Sequence, residues 1–165
     1  MPRHRVCEAT GNSPVSGPLG TDDRHNRVLI VDDHAPFRSI ARQVLNADGF
    51  LVVAEAADGA EAIRACDELR PDLVLLDVQL PDIDGFAVAA VLTTRIDPPA
   101  VVLVSSRSRT DYGSRISDCG ARGYIAKGEL SGDAVRRLLQ LPNEVPPLGS
   151  DPRMGRSEYE GDGRR

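Results

Sequence analysis

A chain of 165 residues is long enough for one well-packed domain and too short for two ordinary ones. Apolar residues make up 41% of it, which argues against global disorder; aromatics are only 4% and Trp is absent, so the core must be built from Val, Leu, Ile and Ala. The net charge of −5 leaves no electrostatic footprint for nucleic acid or an anionic membrane surface.

Residues 1–26 are rich in Gly, Pro, Ser, Asn and charge, show no apolar period, and read as a disordered tail. The first apolar run, "RVLIVD" (27–32), predicts a strand ending in two acids. Phe37, Ile40, Ala41, Val44 and Leu45 then fall at helical spacing, with Pro36 in the first turn and Gly49 just past the end. "LVVAEA" (51–56) predicts a second strand, and Ala60, Ile63 and Leu69 stripe a second helix in "GAEAIRACDELR". "LVLLD" (73–77) is apolar on both faces, as a central strand of a parallel sheet would be. It runs into "DVQLPDIDGF", where Asp84 is placed to cap a third helix, "GFAVAAVLTTR". "AVVLVS" (100–105) is the fourth strand candidate. The helix after it, "DYGSRISDCG", is weak because it is polar, short and interrupted by Gly113. "GYIA" (123–126) and "LSGDAVRRLLQL" complete the series, the latter with Leu130, Ala134, Leu138 and Leu141 on one side. The segment from Pro142 to Arg165 reads as a second disordered tail, so the folded domain is expected over 27–141.

Five βα units of this length predict an α/β fold with a five-stranded parallel sheet and helices on both faces. Right-handed crossovers leave few topologies, and the flavodoxin-like (βα)5 order 2-1-3-4-5 is the commonest for five strands. The cysteines Cys7, Cys66 and Cys119 are odd in number and widely spaced, which fits neither a disulfide framework nor a zinc site. No stretch is apolar enough to span a bilayer, and the N-terminus lacks the apolar middle of a secretion signal, so a cytoplasmic location is expected.

In such a sheet, ligand sites lie at the carboxyl ends of the strands. Asp32 and Asp33 end the first strand and Asp77 ends the third, so three carboxylates converge. Their repulsion is costly unless their pKa values rise or a cation sits among them, and hard oxygen donors suit Mg²⁺. Ser105 ends the fourth strand, and Lys127 follows the fifth on a stem long enough to reach back. Three acids, a hydroxyl and a lysine suit a phosphoryl group: one carboxylate attacks, while metal, lysine and hydroxyl receive the oxygens. Singly, each residue has a bland alternative as a strand terminus, a cap or a solvated charge. Their joint occurrence in order, each at a strand's carboxyl end, favours chemistry.

The order DD, then D-x-x-L-P-D-x-D-G, then S, then G-Y-x-x-K resembles the receiver domain of two-component response regulators, over residues 27–141. The opening "VLIVDDHAPFR" is especially similar to CheY-like receivers of the LuxR type. The resemblance implies that Asp77 accepts a phosphoryl group from a sensor histidine kinase or phosphotransfer protein. It implies Mg²⁺ bound by Asp32, Asp33, Asp77 and the Gln79 backbone carbonyl, with Asp32 acting through water. Ser105 and Lys127 would contact the phosphoryl oxygens, Tyr124 would be the aromatic switch following Ser105, and side chains at Gln79 and Arg107 would tune the acyl phosphate's lifetime. The protein would not be an enzyme beyond its own phosphoryl uptake and hydrolysis.

Two departures stand out. Family members often have Pro after the lysine in a cis peptide; here it is Gly128, and since a non-proline cis bond costs roughly 3 kcal/mol the peptide should be trans. LuxR-type regulators continue into a helix-turn-helix domain, whereas a Pro/Gly-rich tail follows here, so direct DNA binding is not carried over. The expectation is a stand-alone receiver signalling to a downstream protein target through its α4-β5-α5 face, with a homodimer through the fourth helix left open. The alternatives are a phosphorylation-independent adaptor and a truncated LuxR-type transcription factor. A haloacid-dehalogenase-like phosphatase would need D-x-D after the first strand, and a dinucleotide binder would need G-x-G-x-x-G; neither motif is there. His34 reads as a capping or solvent-facing side chain, Cys66 and Cys119 as small core groups, and Arg107, Arg109 and Arg115 as solvated.

Overall fold

The computed structural model describes residues 27–140, so the two predicted tails and Leu141 lie outside the described residues. The strands are β1 (Arg27–Val31), β2 (Leu51–Ala56), β3 (Leu73–Asp77), β4 (Ala100–Ser105) and β5 (Gly123–Ala126). The helices are α1 (Ala35–Ala47), α2 (Gly59–Leu69), α3 (Gly85–Thr93), α4 (Arg115–Asp118) and α5 (Gly132–Gln140). All strand pairs are parallel and the order is β2-β1-β3-β4-β5, as expected.

Strand alternation divides the core into two layers. Leu29, Val31, Val74, Leu76, Val101 and Leu103 pack on one face against Ala62, Phe86, Val88 and Ile116 from α2, α3 and α4. Val28, Ile30, Leu73, Leu75, Val102 and Val104 pack on the other against Phe37, Ala41, Leu45 and Val135 from α1 and α5. All five residues of β3 are buried, as a central parallel strand requires.

Two expected helix faces shift. In α1 the buried positions are Phe37, Ala41 and Leu45, and Ile40 is 58% exposed on the flank. In α2 they are Gly59, Ala62 and Cys66, while Ala60 is exposed and Ile63 and Leu69 are half-buried. Small side chains let α2 lie close to the sheet and to α3, and its larger residues fit only at the edges of that contact. Burial pushes the Cys66 thiol up to about 11, consistent with a small core group.

Caps follow the chemistry of the sequence. Asp58 accepts from Glu61 N at 2.7 Å to start α2, and Asp84 accepts from Phe86 N at 2.9 Å to start α3. The N-terminus of α5 is closed from across the fold, Gly132 N donating to Asp48 Oδ2 at 2.6 Å. The weak fourth helix is weaker still in space. A 3₁₀ turn over Arg109–Asp111 is followed by Gly113 at φ 53°, and α4 itself is a single turn of four residues. The described residues contain no cis peptide bond, so Lys127–Gly128 is trans.

Candidate phosphoryl site

The candidate acids, Ser105 and Lys127 are all delivered by the carboxyl ends of strands. Asp32 follows β1 and is fully buried, Asp33 beside it is exposed, and Asp77 is the last residue of β3 and buried. Oxygens of these three carboxylates all lie within 4.8 Å of one another. Lys127, just past β5, places Nζ 2.7 Å from Asp32 Oδ2 and 3.0 Å from Asp77 Oδ2, and 4.7 Å from the centre of the Phe37 ring. The structure therefore brings Asp32, Asp33, Asp77 and Lys127 together.

Backbone donors hold the two buried carboxylates. His34 N donates to Asp32 Oδ1 at 2.9 Å, and Gln79 N donates to Asp77 Oδ1 at 3.2 Å. The His34 side chain makes no cap, although its position is the N-cap of α1. Asp32 Oδ2 is fully buried and is compensated by the Lys127 ammonium beside it. Three carboxylates spaced within one coordination shell and facing a single ammonium fit a hard divalent cation such as Mg²⁺.

Burial pushes the Asp77 carboxyl above its ordinary range; the hydrogen bonds from Lys127 and Gln79 N pull it back, and the charge of Asp32 adds to the rise. Burial would lower the Lys127 ammonium, but Asp32 and Asp77 outweigh it and hold its pKa above the ordinary lysine value.

Asp32 is braced from behind. Arg38 donates from Nη1 to the Asp32 carbonyl oxygen at 2.6 Å and from Nε to Glu55 Oε2 at 3.1 Å, and Arg42 Nε reaches Glu55 Oε1 at 2.6 Å. Partial burial alone would raise the Glu55 pKa; the two guanidinium groups outweigh it and hold the carboxyl below its ordinary value. A group depressed in the fold stabilises above its unfolded pKa, and that stability is lost as the pH falls through the folded value. Glu55→Gln is accordingly expected to cost about 1 kcal/mol at neutral pH. Urea melts should show the gap closing well below the ordinary glutamate pKa of about 4.3; a gap that persists there would assign the loss to packing instead.

Ser105, at the end of β4, is 1% exposed and accepts from Arg107 N at 3.2 Å. Its hydroxyl also pairs with the Tyr112 hydroxyl at 2.7 Å. Tyr112 is 8% exposed, and its ring meets Phe86 edge-on at 5.4 Å and Tyr124 at 5.9 Å. Tyr124 is half-buried in β5 and donates its hydroxyl to the backbone carbonyls of Arg107 and Ser105. The place beside Ser105 is thus held by Tyr112, a residue that strand-end reasoning passes over because it sits in a polar, weakly helical stretch. Its signal was the lone aromatic of that stretch. Gln79 and Arg107 are exposed, and so is Arg109. Arg115 is not simply solvated: it pairs with Asp84 at 2.7 Å and lies over the Phe86 ring at 4.2 Å.

Three kinds of comparison bear on this arrangement. The family model described as response regulator receiver domain matches residues 28–138. The chain is 34% identical over 146 residues to the transcriptional regulatory protein PdtaR of Mycobacterium tuberculosis, covering 81% of the chain and 71% of that protein. It is 38% identical over 113 residues to the response regulator GacA of Pseudomonas viridiflava, covering 68% of the chain and 53% of GacA. The chain spans about half the length of several curated relatives it matches. Among solved structures it resembles a LuxR-family two-component response regulator from Aurantimonas sp. SI85-9A1, with 29% identity and a TM-score of 0.61 over 67% of the chain and 79% of that structure. The CheX–CheY–BeF3–Mg complex from Borrelia burgdorferi contains a chain 26% identical, with a TM-score of 0.61 over 68% of this chain and 85% of that one.

Proposed function

Because the chain belongs to the response regulator receiver domains of two-component systems, a family in which phosphorylation on Asp is typical, we propose that Asp77 is its phosphoacceptor. Receivers are generally signalling modules that bind Mg²⁺ in an acidic pocket and interact with histidine kinases or phosphotransfer proteins and with downstream targets. The observation that carries the assignment is the Lys127 ammonium held between two buried carboxylates, one of which ends the central strand.

In the proposed reaction an Asp77 carboxylate oxygen attacks the phosphorus of a phosphohistidine. The P–N bond breaks, its electron pair stays on the imidazole nitrogen, and the phosphoryl group leaves as an acyl phosphate on Asp77. Asp32, Asp33, Asp77 and the Gln79 carbonyl would hold Mg²⁺, which supplies positive charge against the phosphoryl oxygens. Lys127 exchanges its Asp77 contact for a phosphoryl oxygen, and Ser105 donates its hydroxyl to another. Asp32 keeps Lys127 anchored while this exchange happens. Hydrolysis of the acyl phosphate by water returns the carboxylate and ends the signal.

Output is proposed to leave through α4, β5 and α5 to a protein partner in the cytoplasm, with Tyr124 following Ser105. The support is local: a one-turn α4 set off by Gly113 has little hydrogen-bonded structure to lose, so its local stability is low. Intact-mass measurement after incubation with acetyl phosphate and Mg²⁺ tests the central assignment. A base-labile phosphoryl adduct is expected on the wild-type chain and not on Asp77→Ala. No adduct from acetyl phosphate or from any phosphohistidine donor would leave a receiver fold acting as an unphosphorylated adaptor.

A further inference from the structure

We infer that Tyr112 is a positioning residue for phosphoryl transfer: its hydroxyl fixes the Ser105 hydroxyl so that the serine proton is free to be given to a phosphoryl oxygen. The inference rests on the Asp77 assignment above.

A serine hydroxyl has one proton and two lone pairs. One lone pair of Ser105 takes the Arg107 N–H at 3.2 Å. The second contact is the Tyr112 hydroxyl at 2.7 Å, in which either oxygen can be the donor. Once a phosphoryl oxygen takes the serine proton, one arrangement satisfies every group: Tyr112 donates to Ser105, and Ser105 donates onward. Both oxygens are buried, so a serine left with an unfilled lone pair has no bulk water to fill it. Donors linked in this way also polarise one another, which strengthens the last bond in the chain.

The tyrosine itself is held from three sides. Phe86 meets it edge-on, the tilted Tyr124 ring packs against it, and its backbone N–H closes the Arg109–Asp111 turn onto the Arg109 carbonyl. Phe86 in turn lies under the Arg115 guanidinium, which pairs with Asp84 at the cap of α3. Tyr112 thereby links the Ser105 hydroxyl to the segment between β4 and α4.

A double-mutant cycle in the full chain tests this, using Tyr112→Phe, Ser105→Ala and both together. The readouts are the rate of adduct formation from acetyl phosphate with Mg²⁺, followed by intact mass, and its dependence on donor concentration. Tyr112→Phe is expected to slow uptake about fivefold at saturating donor with half-saturation unchanged, and Ser105→Ala about tenfold or more. Acting through Ser105, the tyrosine should have nothing left to contribute in its absence, so the double variant should be no slower than Ser105→Ala. A purely structural tyrosine predicts that the two losses multiply; that result, or Tyr112→Phe at the wild-type rate, overturns the inference. A wild-type chain that takes up no phosphoryl group overturns the Asp77 assignment and this inference together, whereas an adduct with multiplying losses overturns this one alone.

Discussion

Lys127→Ala is expected to slow phosphoryl uptake about a hundredfold, the scale of losing one preorganised electrostatic donor. Among the described residues no other ion pair reaches Asp32 or Asp77. Without the lysine, two buried carboxylates face each other uncompensated, so the variant should also lose about 3 kcal/mol of stability in EDTA. Mg²⁺ should restore much of that loss, growing with the logarithm of its concentration, since it binds the fold and not the unfolded chain. The sign with pH follows from the raised lysine pKa: the contribution is complete below the ordinary value of about 10.4 and fades only as the pH rises through the folded value. Urea melts with and without Mg²⁺, beside uptake rates, measure both effects. A variant that melts like the wild type in EDTA and keeps its rate within a few-fold would make Lys127 a solvated bystander.

Gly85→Ala is expected to destabilise the domain by about 3 kcal/mol or more, near the upper end for overpacking because backbone cannot rotate away. A Cβ at position 85 would lie 2.2 Å from the Asp77 carbonyl oxygen and 2.8 Å from Val78 Cα. The close approach is tied down by the Gly85 N–H, which donates to the Val78 carbonyl oxygen at 2.9 Å. Relief requires the start of α3 to move off the end of β3, which also displaces Asp77. The melting temperature should fall by roughly 10 °C or more, and residual uptake should fall even at temperatures where the variant is folded. A stable variant with normal uptake would mean that the turn over 78–84 tolerates a shift with no effect on the carboxylate.

Gly85 also shows where the sequence is an incomplete guide. The turn "LPDIDG" is legible from Pro, Asp and Gly, and so is the Asp84 cap, because both depend on local backbone chemistry. That Asp82 would cross to the N-terminus of α2, accepting from Gly59 N and Ala60 N at 2.8 and 2.9 Å, depends on packing between elements far apart in the chain. The strands are legible because β3 and β4 carry unbroken apolar runs bounded by polar residues or proline. The five-strand order follows from connection rules rather than from any residue. Asp32, Asp33, Asp77 and Lys127 are legible as a group because the carboxyl edge of a parallel sheet is the one place where strand ends meet. Helix faces were less so: Ile40 and Ile63 satisfy the apolar period, yet small residues beside them are what the close contacts admit. Tyr112 lies in a segment whose pattern is neither helix nor strand, and its contact with Ser105 is fixed by tertiary packing alone.

The aromatic economy of the chain has a practical side. With no Trp to drain excitation, ultraviolet emission comes from three tyrosines, and two of them, Tyr112 and Tyr124, have ring centres 5.9 Å apart beside the same buried serine. Phenol emission depends on what the hydroxyl is bonded to, so the wild-type chain carries its own optical gauge of the Ser105 environment. No dye or engineered chromophore has to be introduced into a neighbourhood too crowded to take one.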